Sequence, residues 1–115
     1  MINDKVFIGE IKGVTPNVKK ANVSQLDVHV QEHLDDNDEE SKNIIALLII
    51  NHQRNKPISA REGVNDEVIK WAERNGSLIV ETITLLKLFE QYLLGKKSRD
   101  ESIDTLANTT GLLEL

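Results

Sequence analysis

The chain has no cysteine. That excludes disulfides and thiolate metal sites, and it permits a reducing compartment. Aromatic residues are scarce, namely Phe7, Trp71, Phe89 and Tyr92, so a core has to be built from isoleucine, leucine and valine, as in α/β proteins. No apolar run approaches the roughly 20 residues of a membrane helix. No basic-then-apolar leader opens the chain either. The expectation is a soluble, cytoplasmic protein without a membrane partner. An excess of positive charge is also missing: the formal net charge is −5, which argues against nucleic-acid binding through bulk charge.

What is present is unevenly spread. The 115 residues suit one domain with a single core. Asp27, Glu32, Asp35, Asp36, Asp38, Glu39 and Glu40 crowd one stretch with no lysine or arginine among them. Lys12, Lys19 and Lys20 form one basic group, and Arg54, Lys56 and Arg61 a second. Local arrangement therefore matters more than the total.

Periodicity predicts the elements. Residues 5–11 read as a strand that runs into loop formers at Gly13, Pro16 and Asn17. A helix is expected from about Asn22, capped by Asn22 or Ser24, with Val23, Leu26, Val30 and Leu34 as its apolar stripe. The acidic residues 35–40 oppose the helix dipole and should fray its end. Asn43 to Asn51 is continuously apolar between polar flanks, the pattern of a strand covered on both faces. After a polar loop with Pro57 and Gly63, Asn65 should cap a helix that stops at Gly76. Ser77–Glu81 reads as a third strand. A helix from Thr82 or Thr84 should end near Gly95, burying Ile83, Leu86, Phe89 and Leu93. Beyond it, Ser98 and Glu101 have capping-box spacing ahead of a short helix. Leu112, Leu113 and Leu115 then need cover, from their own chain or from a second copy. The expected architecture is three-layered α/β in βαβαβα order around a mainly parallel sheet. Residues 1–95 form the α/β domain and 96–115 a helical tail that docks on it or on a partner subunit.

The first strand is the unusual one. In Lys5-Val6-Phe7-Ile8-Gly9-Glu10-Ile11-Lys12-Gly13, alternation puts Val6, Ile8, Glu10 and Lys12 on one face. Val6 and Ile8 should be buried there, and the two charges stand about 7 Å apart along the strand. A charged pair beside a buried face is costly unless the charges meet each other, a metal or a ligand. If the strands are parallel, Glu10 and Lys12, Asn51 and His52, and Glu81 and Thr82 share one edge of the sheet. Open α/β sheets bind ligands at that edge.

The Glu-x-Lys order in Ile8-Gly9-Glu10-Ile11-Lys12-Gly13, followed by Ser24-Gln25-Leu26-Asp27 on a helix, resembles the PD-(D/E)XK, or restriction-endonuclease-like, nuclease superfamily. Ala46 to Asn51 leading into His52-Gln53-Arg54-Asn55, and Leu78-Ile79-Val80-Glu81-Thr82, resemble its later strands. The likeness covers residues 4–94. It implies a metal-dependent nuclease hydrolysing phosphodiester bonds in DNA. Mg²⁺ or Mn²⁺ would be held by Glu10 and the Ile11 carbonyl, since hard cations take oxygen ligands. Lys12 would orient the water or stabilise developing negative charge, and Gln25 would hold the substrate or a metal-bound water. Lys19, Lys20, Arg54, Lys56 and Arg61 would contact phosphates.

One departure stands out. The family needs an acidic residue, usually Asp after Pro, ahead of the Glu-x-Lys strand, and none is in place here. Asp4 shares the strand face but lies about 20 Å from Glu10 along the chain, a poor substitute. The expectation is the C-terminal part of such a domain, lacking its N-terminal elements and inactive as it stands. Blander readings stand beside this. Glu10 and Lys12 suit a plain ion pair, Gln25 a surface position, and Trp71 a core or interface position. His29 and His33 have zinc-ligand spacing but no third ligand in view, and His52 reads as a loop residue near the substrate. A second class, a non-catalytic α/β interaction module associating through its leucine tail, stays open, because fold alone does not give function.

Overall fold

A computed structural model describes residues 6–13, 17, 19–37 and 44–115, the side chains of 34–37 excepted. The three isoleucine-, leucine- and valine-rich segments are strands: β1 (Val6–Gly13), β2 (Ile44–Asn51) and β3 (Ser77–Glu81). With a two-residue fourth strand, β4 (Gly111–Leu112), they make a sheet of order β1-β2-β3-β4 with every pairing parallel. Between the strands run α1 (Lys20–Asn37), α2 (Asp66–Asn75), α3 (Thr82–Leu93) and α4 (Arg99–Ala107). The chain is thus an α/β protein, and the expected βαβαβα order is extended by a second helix and a short strand.

The sheet's two faces carry separate apolar clusters. Ala46, Leu48, Ile50 and Ile79 pack under Val23, Leu26 and Val30 of α1 and Val68 and Ala72 of α2. On the reverse, Leu47, Leu78 and Val80 pack with Leu88 of α3 and Leu113, joined by Leu85 and by Leu106 of α4. Alternation along β2 explains why one strand serves both layers. Burying a leucine or isoleucine of this kind is worth about 1.5–3 kcal/mol, so β2 and β3 hold the molecule together.

Topology follows an uneven rule. Each step across the sheet goes the same way, yet α1 and α2 cover one face while α3 and α4 cover the other. The last crossover therefore has the opposite hand to the first two, so right-handedness cannot hold in all three. β4 pairs through Leu78–Gly111 and Ile79–Leu112, with the Leu113 amide donating to the Ile79 carbonyl at 2.9 Å.

Several boundaries differ from the sequence expectation. α1 begins at Lys20, two residues early, and Asn22 reaches back to accept from the Lys19 amide at 2.9 Å. Ser24 accepts instead from the Trp71 indole at 3.2 Å, across the α1–α2 seam. The α1 backbone stays helical through Asp35 and Asp36 to Asn37. Asn65 precedes α2 without a side-chain cap, whereas Gly76 ends it in the left-handed region at φ 68°. Val6 and Ile8 are only half-buried, because β1 is the edge of the described sheet. The buried face of α3 has a different phase from the expected one: Leu86, Phe89 and Leu93 are exposed, Ile83 is half-buried, and Leu88 is the buried residue. Leu113 is buried in the chain's own sheet, Leu112 is half-buried and Leu115 is exposed. Ser98 and Glu101 do form the capping box of α4. Expectations for Asp4, Pro16, the Leu34 side chain, Asn43 and the acidic residues 38–40 fall outside the described residues.

Candidate functional site

Parallel pairing brings the ends of β1, β2 and β3 to one edge. The register sets Glu10 beside Leu48 and Lys12 beside Ile50, and Ile50 beside Glu81. All five project toward the α1–α2 layer. The Lys12 ammonium lies 3.2 Å from Glu10 Oε1, and both side chains are largely buried. Lys12 and Glu81 stand two strand spacings apart, about 10 Å between Cα atoms.

A third group joins them from above. The stripe Val23, Leu26 and Val30 seats α1 on the sheet, and the flanking residue His29 then overhangs β1. Its Nδ1 is 3.7 Å from Glu10 Oε2. That is too long for a hydrogen bond. Glu10 Oε2 is buried and has no hydrogen-bond partner. A carboxylate oxygen held out of water without a donor is destabilising.

The basic residues divide. Arg54 is exposed and lies over the end of β1, where its guanidinium would be 3.6 Å from a Cβ placed on Gly13. Lys19 and Lys56 are exposed near the same edge. Arg61 is instead tied down, donating from Nη1 to Asn51 Oδ1 at 2.6 Å and from Nε to the Lys56 carbonyl at 3.0 Å. Lys20 is drawn away, 3.8 Å from Glu67 and 5.8 Å from the centre of the Trp71 ring. Gln25 is exposed on α1 one helical turn before His29. Ile11 presents its side chain to the opposite face, 77% exposed, so only its backbone carbonyl could serve the Glu10 side.

The loop after β2 is more ordered in its bonding than its polar composition implied. His52 is only 4% exposed, and its Nε2 sits 2.7 Å from the Glu62 carbonyl. A carbonyl only accepts, so the ring carries its proton at Nε2. Gln53, also buried and held at φ 49°, accepts from the Glu62 amide at 2.7 Å. Two adjacent side chains thus clamp both sides of residue 62, and Asn17 donates to the Gly63 carbonyl at 2.9 Å. Beside this clamp is a cleft of about 150 Å³ lined by His52, Arg61, Glu81 and Thr82 among others. His52 Nε2 is 3.8 Å from Glu81 Oε1, and Thr82 Oγ1 donates to the Ile50 carbonyl at 3.0 Å. The buried role of His52 had no periodic signal. The approach of His29 to Glu10 had none either, since it depends on how α1 lies across β1.

Among the described residues, no group of three or more acidic or histidine side chains converges on one point. Glu10 and His29 offer two donors. The class these features define is an α/β protein with an all-parallel sheet and a carboxylate–ammonium pair at its carboxyl edge. No protein-family profile matches the chain, and neither a curated protein nor a solved structure matches it. No helix among the described residues is long and apolar enough to cross a membrane.

Proposed function

We propose that this chain carries the Glu-x-Lys portion of a metal-dependent nuclease site of the restriction-endonuclease-like kind, acting on DNA phosphodiester bonds, with a further acidic donor to come from outside the described residues. The observation that carries this reading is the Glu10 carboxylate, with one oxygen on Lys12 at 3.2 Å and the other buried and unbonded. A hydrogen-bonded structural pair would satisfy both oxygens. A ligand carboxylate keeps one for its cation, so the residues fit the group. Mg²⁺ or Mn²⁺, when bound, supplies Lewis-acid polarisation of a phosphoryl oxygen. Glu10 Oε2 would hold the cation, and the Ile11 carbonyl would be a further oxygen donor. Lys12 neutralises charge that builds on the phosphate. Arg54, Lys56 and Lys19 steer the backbone to the edge without reading its sequence. Arg61 acts at one remove, fixing the loop that carries Arg54 and Lys56. Gln25 is on the rim, suited to the substrate rather than to the cation.

Calorimetric titration with Mn²⁺ tests the site. Saturable binding to the wild type, lost in Glu10→Ala, is expected; identical titrations of the two proteins reject the reading. In a longer protein that completes the site, Lys12→Ala should abolish plasmid cleavage.

A second reading, a non-catalytic interaction module, draws on a different surface. Leu86, Phe89 and Leu93 form an exposed row on α3, with Tyr92 beside it. The tail leucines are less suited to that role, because Leu113 is buried at home. Self-association through α3 predicts a dimer mass in sedimentation that falls to the monomer in Leu86→Ser/Phe89→Ser. A monomeric wild type rejects it.

A further inference from the structure

Resting on the proposed cation site, we infer that His29 supplies a nitrogen ligand beside Glu10 and so gives the site a preference for Mn²⁺ over Mg²⁺. Three observations lead there. His29 Nδ1 faces the one carboxylate oxygen that lacks a partner, at 3.7 Å. The other oxygen is occupied by Lys12, which directs any incoming cation to the His29 side. The imidazole is 45% exposed and comes from α1, so it can shift without disturbing the sheet.

The separation suits a shared cation better than a direct bond. Two donors about 2.1 Å from one ion are roughly 3.0 Å apart at a right angle and roughly 3.4 Å apart at a tetrahedral angle. The observed gap of 3.7 Å exceeds the tetrahedral separation by about 0.3 Å and the right-angle one by about 0.7 Å, which a rotation of the half-exposed His29 side chain can close. As a bare ion pair it would be too long for a hydrogen bond and, half in solvent, of little energetic worth. An imidazole in the donor set favours the later divalent metals, whereas Mg²⁺ prefers oxygen and keeps its water. The preference is thus a property of the α1 residue at position 29, separate from the carboxylate that creates the site.

The test uses the whole chain with Mn²⁺ and Mg²⁺ as the probes. Titrations of the wild type, His29→Ala and Glu10→Ala are read by calorimetry, and the Mn²⁺ form by pulsed electron paramagnetic resonance. The wild type should bind Mn²⁺ more tightly than Mg²⁺ and show nitrogen coupling at the Mn²⁺ centre. His29→Ala should lose that coupling and weaken Mn²⁺ binding by about tenfold or more, with Mg²⁺ binding little changed. Glu10-dependent Mn²⁺ binding that is indifferent to His29→Ala, with no nitrogen coupling, overturns this inference alone. Absence of any Glu10-dependent binding overturns the cation site as well.

Discussion

At the scale of single residues, Glu10 and Lys12 present the sharpest conflict between stability and chemistry. Charged pairs taken from water recover little more than their desolvation cost, and apolar replacements of similar size are often neutral or stabilising. Here the conflict is increased by the unbonded Oε2. The double variant Glu10→Leu/Lys12→Met should therefore keep its stability or gain up to about 2 kcal/mol in urea denaturation. A loss of more than about 2 kcal/mol would mean that the pair is a structural device. Glu10 was legible as a candidate because alternation along one strand puts a charge on the face that packs under α1. His29 was not, because its relevance depends on how α1 lies across β1, which no single-sequence period reports. His52 was hidden for a similar reason: its burial comes from a loop folding back through Glu62.

At the scale of elements, the sequence spoke most clearly where hydrophobic runs are long. The run Ile44–Asn51 and the five residues Ser77–Glu81 became strands with nearly the expected bounds. Ser98 and Glu101 announced α4 through cap chemistry. α3 was harder, because leucines at 85, 86, 88, 93 and 94 allow more than one phase of burial. The sheet contacts of Leu85 and Leu88 decide it. β4 left no readable signal, since two residues cannot show a period. Its attachment depends on Gly111, whose φ is 85° and where a Cβ would lie 2.8 Å from Glu73 Cγ. Glu73 is exposed and can swing aside, so the left-handed backbone should dominate the cost. Gly111→Ala is expected to lose about 1–2 kcal/mol in thermal or urea unfolding, with Glu73→Ala restoring only a part. An unchanged stability would show that β4 contributes little to the sheet.

At the scale of the molecule, an all-parallel sheet gathers the ends of three strands at one edge, and a clamped loop closes over it. The net charge is −5, and on the proposed reading the exposed Arg54, Lys56 and Lys19, in the segments that follow β1 and β2, supply the local positive charge. Those exposed cations should act additively and should weaken at higher salt. The whole account rests on one proposed contact, that of Glu10 Oε2 with a divalent cation. The most direct measurement is anomalous X-ray scattering from crystals of this chain soaked in Mn²⁺. The account predicts a peak roughly 2 Å from Glu10 Oε2, absent from crystals of Glu10→Ala. Well-occupied Mn²⁺ elsewhere on the molecule with none at Glu10 would contradict it.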